Sequence, residues 1–225
     1  VPFGDAIPGR FTNDAGVDVV ANMMTKSSNR LLGVLEIEGL CKCAAVPYDV
    51  KGGVENDEGS REMMILFLPE EDGPTAVQDC LVELDGETLM SLFDHLIPPS
   101  KKNVSITMPK FEIHSAHQST QISDPLKKMG LASAFTYGGA DFTRMIDGVP
   151  KGDVYLSRII QSAHIVVDEQ GTEASAGTMG EMVYRSISVG EDKNEIVFDR
   201  PFAFMIVDPQ VKIPSFVGIV RDPTR

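Results

Sequence analysis

Asp168 to Glu191 reads DEQGTEASAGTMGEMVYRSISVGE, and no other stretch restricts the fold as tightly. It passes from Glu169 through Gly171, Thr172, Glu173, Ala174, Ser175, Ala176, Gly177, Thr178 and Gly180 to Met182-Val183-Tyr184-Arg185-Ser186-Ile187. So few large apolar side chains cannot hold the segment against a core, and composition predicts an exposed loop. It lies, however, between Ile165-Val166-Val167 and Ile196-Val197-Phe198, which both have strand character. It also contains no proline, so every backbone N–H in it is available to a sheet ladder. The chain must therefore carry, between two strands, a segment that is a loop by its side chains and strand-competent by its backbone.

The flanking chain reads as a mixture of strands and short helices. Val1 to Gly16, rich in Gly, Pro and Asp, reads as a loop, and Val17 to Met24 has partial strand character. Leu31 to Glu38, Cys41 to Val46 and Met63 to Pro69 read as three successive strands. The last is apolar throughout, as a strand buried on both faces would be. Asp49 to Arg61, Gly-rich and acidic, reads as a solvated loop. Thr75-x-x-Gln78 has the form of a capping box opening a helix through Leu81. Leu89, Leu92, Phe93 and Leu96 recur at helical spacing, with Asp85 as the cap. Val104 to Ile113 alternates as a strand interrupted by Pro109. Asp124 as cap, Pro125 at the first helical position and Gly130 as terminator mark a further helix. Tyr155 to Val167 reads as one long strand entering the loop; Ile196 to Val207 and Ser215 to Val220 read as two strands after it.

Glu169-Gln170-Gly171-Thr172-Glu173-Ala174-Ser175-Ala176 resembles the E-x-G-T-E-A-x-A hinge of the serpins, the serine protease inhibitor superfamily. Further segments resemble the family in order: Met23-Met24, Leu68-Pro69-Glu70, Val104 to Ile113 with its Pro109-Lys110-Phe111, Leu126 to Leu131, Phe198 to Ile206, and Phe216 to Pro223. The resemblance runs the length of the chain and implies an α+β fold of several sheets with surface helices, of which residues 1–225 are the C-terminal portion of a single domain. The family's first half has no counterpart here, and Val1-Pro2-Phe3 looks like an internal position. Gln161-Ser162 stands where the family carries His-Lys, and Arg200 stands where it carries a histidine.

Within 168–191 the family offset places the scissile bond at Arg185-Ser186, flanked by Val183, Tyr184 and Ile187. The resemblance implies a suicide substrate for a trypsin-like serine protease, whose specificity pocket carries a carboxylate. After attack the freed hinge would insert into the main sheet as an added strand, the general mode of strand addition of which serpin loops are a recognised example. The other reading is a non-inhibitory serpin, or an inactive fragment that only binds.

Rival chemistries find little support in the sequence. There is no G-x-S-x-G elbow and no phosphate loop. His114 and His117 are spaced as H-x-x-H without a completing ligand pattern, and His95 and His164 stand alone. Cys41 and Cys43 share a strand face, where a direct bridge would be strained; they read as small core residues. A net charge of −13 argues against nucleic acid as a partner, and no apolar run approaches a membrane span. No cofactor is implied. Asn103-Val104-Ser105 is a glycosylation sequon, and family habit implies secretion. The expected partners are a trypsin-like protease and the N-terminal half of the same protein.

Overall fold

Met63 to Pro69 is the centre of the larger of two compact units: all seven of its residues are buried. The computed structural model describes residues 3–28, 32–48, 62–96, 104–114, 120–161, 163–169 and 194–224. Its strands in chain order are β1 (Ile7–Thr12), β2 (Asp18–Ser28), β3 (Gly33–Ile37), β4 (Cys41–Pro47), β5 (Met63–Pro69), β6 (Val104–Pro109), β7 (Phe111–His114), β8 (Thr120–Gln121), β9 (Ile160–Gln161), β10 (His164–Val167), β11 (Asn194–Val197), β12 (Phe202–Asp208) and β13 (Ile213–Val220). The helices are α1 (Ala76–Glu83), α2 (Gly86–Leu96) and α3 (Ser123–Leu126). One unit comprises Val1–Glu112 and Val166–Arg225, the other Ile113–Ile165.

The larger unit holds a five-stranded antiparallel sheet in the order β13-β12-β5-β4-β3. Period-two alternation sends Cys41, Cys43, Ala45, Ile65, Phe67, Ala203 and Met205 to one face, where Val77 and Cys80 of α1 and Leu92, Phe93 and Leu96 of α2 cover them. Each large side chain buried there stabilises the unit by roughly 1.5–3 kcal/mol. Gly33 of β3 is required by proximity: a Cβ there would overlap the Leu96 carbonyl oxygen. The other face is aromatic. Phe111 packs on Phe202 and Phe204 at 6.0 and 5.4 Å between ring centroids, and Phe198 on Phe202 at 5.1 Å.

A second sheet of this unit runs β1-β2-β6-β11, with β11 parallel to β6 and the other pairs antiparallel. Its strand β1 falls within the stretch expected to be a loop. Pro8 is tolerated because β1 is the sheet's edge, and Phe11 is fully buried, so tertiary pairing overrides a weak local signal.

Several expectations hold at residue level. Asp85 caps α2, its carboxylate accepting the Thr88 N–H at 2.8 Å, and this holds the Asp85 carboxyl below the usual range. The strand is interrupted after Pro109 as read, with Lys110 between β6 and β7. Cys41 and Cys43 are buried free thiols with their sulfurs 3.5 Å apart.

Others are corrected. Thr75 precedes α1 but makes no side-chain cap bond; its backbone is already helical, with φ −105° and ψ −9°. Ile122, not Asp124, is the cap of α3, and Asp124 lies in its first turn, bonded to Lys127 at 3.1 Å. Ser123 Oγ instead accepts the Ile159 N–H at 2.9 Å. Gly130 does not terminate the helical stretch but kinks it, with φ 105°, a conformation open to glycine. Tyr155 to Val167 is not one strand: among its described residues only Ile160–Gln161, paired with β8, and His164–Val167, paired with β7, are laddered. An extended chain becomes a strand only where a neighbour supplies its hydrogen bonds. Ile196 to Val207 is likewise two strands in different sheets, divided by a corner at Phe198 to Pro201.

That corner explains Arg200. Its Nη2 donates to the Pro69 carbonyl at 2.8 Å, and Nε lies 2.9 Å from Asp72 Oδ1, an ion pair too bent to be a hydrogen bond. The guanidinium thus ties the turn into β12 to the end of β5.

The smaller unit contains α3, a helical continuation over Lys127–Leu131 and Ala132–Phe135, and the β8–β9 pair. The Lys127 ammonium sits 5.2 Å from the Phe135 ring centroid, and Tyr137 packs edge-on against Tyr155 at 6.1 Å.

Candidate functional site

Glu169, the first residue of the expected hinge, is the one described member of that set. Gly171, Thr172, Glu173, Ala174, Ser175, Ala176, Gly177, Thr178, Val183, Tyr184, Arg185, Ser186 and Ile187 lie outside the described residues, as does Asn103. What the structure defines is the frame at the two ends of that stretch.

The entry end is a clamp. Pro109 ends β6 and cannot donate to its ladder, so the chain turns at Lys110 before β7 begins at Phe111. The Lys110 N–H donates to the Asn22 carbonyl at 2.8 Å, which fixes its backbone to β2. From that position its ammonium reaches Glu169 Oε2 at 2.7 Å, with the two side chains 35% and 29% exposed. This hydrogen bond, with smaller help from the Glu169 and Ala6 backbone N–H groups, holds the Glu169 carboxyl below the usual range. The Phe3 N–H donates to the Glu169 carbonyl at 2.9 Å. Glu169 is therefore held by side chain and main chain together, directly after β10, of which Ile165 and Val167 are buried.

The exit end is a strand. β11 begins at Asn194, paired with Val104, and the Phe198 N–H continues the ladder to the Thr107 carbonyl at 2.8 Å. Phe198 then enters the aromatic face against Phe202. The two ends thus engage opposite ends of β6. Val104 and Lys110 are about 20 Å apart along it at about 3.3 Å per residue. Residues 170–193 have a covalent reach of about 80 Å. That reach is several times the length of β6 between those two points.

Sequence reading missed the partners of the clamp. Lys110 entered only as part of Pro109-Lys110-Phe111, and Phe3 only as part of Val1-Pro2-Phe3. The proline break was the legible signal; which acid Lys110 would meet depends on how β6 and β10 are brought together.

Elsewhere the polar groups serve the fold. A cleft of about 800 Å³ is lined by Arg10, Asn13, Asp14, Asp72, Asp199 and Arg200. Its cations are engaged: Arg10 with Asp18 at 3.0 Å, and Arg200 with Asp72 and Asp199. The Asn13 side-chain amide donates through Nδ2 to Asp222 at 3.1 Å while its Oδ1 accepts the Ala15 and Val17 N–H groups. His95 Nδ1 lies 2.7 Å from the Ser91 carbonyl one turn back on α2. His117 lies outside the described residues. Among the described residues no group of three or more His, Cys, Asp or Glu is placed to hold a metal ion. No described helix is long and apolar enough to cross a membrane.

Comparison with known proteins gives one result. The family description Serpin (serine protease inhibitor) matches residues 5–223. Serpin-Z2A of Oryza sativa subsp. japonica is 33% identical over 164 residues, 72% of this chain and 37% of that protein. Serpin-ZXA of the same organism is 30% identical over 216 residues, 96% of this chain and 50% of that protein. The native-state crystal structure of the thermophilic serpin tengpin superposes with a TM-score of 0.72 at 23% identity, covering 97% of this chain and 50% of that one. The chain thus spans half or less of the length of these relatives.

Proposed function

The chain belongs to the serpin family, and on that premise we propose that it supplies the bait and the trap of a serine protease inhibitor. The family is one of serine protease inhibitors; the target and the mechanism below are this proposal. Arg185 is the bait residue and Arg185-Ser186 the bond attacked, with Val183, Tyr184 and Ile187 in the flanking subsites. A trypsin-like protease is the partner, since its pocket carboxylate pairs with an arginine. Its serine oxygen bonds to the Arg185 carbonyl carbon, the Arg185-Ser186 peptide bond breaks, and Ser186 leaves with a new amino group.

The observation that carries the reading is the clamp at Glu169. The hinge leaves a fixed point, bonded through its side chain to Lys110 and through its carbonyl to Phe3. The following residues, Gly171 to Thr178, are small and include no proline. Gly171 to Tyr184 would add a strand of about 46 Å to the sheet that contains β10. Thr172, Ala174, Ala176 and Thr178 would then point to one face, where small side chains pass most readily. Insertion carries the acylated protease with it, and the acyl bond is not hydrolysed. The protein is in this reading a single-use trap, acting as it exists with the remainder of the serpin fold. Secretion and glycosylation at Asn103 belong to the same proposal; a glycosidase-sensitive mass increment on the natural protein tests them.

The test is incubation of the intact protein with trypsin. We expect a complex that survives SDS, with a new amino terminus at Ser186. Arg185→Glu removes both. A variant that still traps trypsin-like proteases would place the attacked bond elsewhere and overturn the assignment.

A further inference from the structure

All three cysteines of the chain meet beneath α1. Period-two alternation turns Cys41 and Cys43 of β4 toward the face that α1 covers, and Cys80 of α1 packs into the same core. Cys41 is the middle member: its sulfur lies 3.5 Å from that of Cys43, and its thiol is also hydrogen-bonded to that of Cys80. Cys41 and Cys43 have no exposed surface and Cys80 only 3%. A thiol is a weak donor and a weak acceptor, so these contacts by themselves do little to hold α1. Of the eight residues of that helix only Val77 and Cys80 are buried, with Leu81 packed part-buried beside them. Thr75 gives it no side-chain cap bond, and its last turn holds no basic residue.

Cys41 and Cys43 stand two apart on one strand with parallel side chains, and a bridge between them is strained. Cys41 and Cys80 belong to different elements, and their thiols already touch across the strand–helix interface. A bond there closes a long loop of the unfolded chain, the case in which a disulfide removes most freedom from the unfolded state. The structure holds all three as free thiols and so describes the reduced form.

We propose that Cys41 and Cys80 become a disulfide when the chain folds in the presence of glutathione disulfide, stapling α1 to β4, while Cys43 remains a thiol. The Cys41 thiolate attacks one sulfur of the oxidant, the oxidant's S–S bond breaks, and one glutathione leaves and takes up a proton. The Cys80 thiolate then attacks the Cys41 sulfur of the mixed disulfide. The Cys41–Cys80 bond forms, and the second glutathione leaves and takes up the other proton. Two electrons pass from the protein sulfurs to the oxidant. The reaction belongs to folding, because only a thiolate attacks. In the folded chain Cys41 is pushed up to about 12, chiefly by its hydrogen bond to Cys43, and Cys80 is pushed up by its bond to Cys41. Burial also keeps a tripeptide oxidant away from both sulfurs. The state set while β4 and α1 come together is therefore kept afterwards. Nothing in this depends on Arg185 or on a target protease.

The intact protein is synthesised twice in a cell-free system, once with glutathione disulfide and once with a monothiol reductant. With the oxidant the product should be lighter by two hydrogen atoms. Tryptic cleavage after Lys42 separates Cys41 from Cys43, so a digest made without reductant should show the Cys41 peptide joined to the Cys80 peptide, and Cys43 alkylated only after unfolding. The Tm of this product should exceed that of the reduced one by roughly 4–15 °C. The Leu84 amide, which donates to the Cys80 carbonyl at 3.2 Å, should exchange at least tenfold more slowly. Cys80→Ala should abolish both differences and Cys43→Ala should keep them. The reduced product, once folded, should stay reduced in the same oxidant over the time that synthesis takes. Three free thiols after synthesis in the oxidant, a bridge that includes Cys43, bonds between chains, or a product that folds only under reductant overturns the proposal. So does a folded reduced chain that is oxidised as fast as an unfolded one. The peptide map is read on the wild-type chain, so a variant that fails to fold leaves the test intact.

Discussion

Replacing Glu169 by glutamine keeps the size and shape of the side chain and removes its charge, which isolates the electrostatic part of the clamp. The Lys110 ammonium is 2.7 Å away and both side chains are about one-third exposed. Ion pairs with that much solvent contact contribute roughly 0.2–1 kcal/mol. The carboxylate also receives hydrogen bonds from the Glu169 and Ala6 N–H groups, and bonds to an ionised acceptor are about twice as strong as neutral ones. A total loss of about 1 kcal/mol follows, close to a fivefold change in a local opening equilibrium. The reporter is the Phe3 amide, which donates to the Glu169 carbonyl at 2.9 Å. Its hydrogen-exchange rate should rise about fivefold in Glu169→Gln. Lys110→Met should raise it similarly, and the double variant little further, because both remove one interaction. The sign with pH follows from the depressed Glu169 carboxyl: the contribution is complete above the ordinary value of 4.5 and disappears as pH falls through the lower folded-state value. In the wild type the Phe3 amide should therefore lose protection in acid, while in Glu169→Gln this component should be missing. Equal exchange in all forms, or additive effects of the two substitutions, would refute the clamp.

Thr172→Arg puts a long charged side chain on the face of the hinge that insertion would bury; the protein should then be cut by trypsin without forming an SDS-stable complex, and an undiminished yield of complex would count against insertion. Gly33→Ala forces a Cβ against the Leu96 carbonyl oxygen, an overpacking that costs about 1–3 kcal/mol and should lower Tm by about 2–10 °C in calorimetry. Cys41, pushed up to about 12 chiefly by its hydrogen bond to Cys43, should resist a thiol reagent at pH 8 in the native protein and react on unfolding; rapid native labelling would contradict its burial. The stabilisation from keeping that thiol neutral is full below about 9 and is lost as pH rises through about 12.

The sequence by itself determined the elements whose signal is local. The unbroken apolar run of β5, the helical spacing of Leu89, Leu92, Phe93 and Leu96, the Asp85 cap and the Pro109 break all follow from side-chain chemistry within a few residues, and each is found in place. The hinge composition was equally legible, because smallness and the absence of proline are properties of residue type. Tertiary structure decided what depends on a distant neighbour. β1 is a strand because β2 offers it a ladder, and Tyr155 to Ile159 are unladdered because no described strand does so. Arg200 acquires its role only when the 198–201 corner reaches Pro69. Lys110 and Glu169 are 59 positions apart in the chain and meet only because the β6–β7 break and the end of β10 are brought together. Hydrogen-bond partners remote in sequence are chosen by the packing of sheets, and no pattern local to either residue encodes that choice.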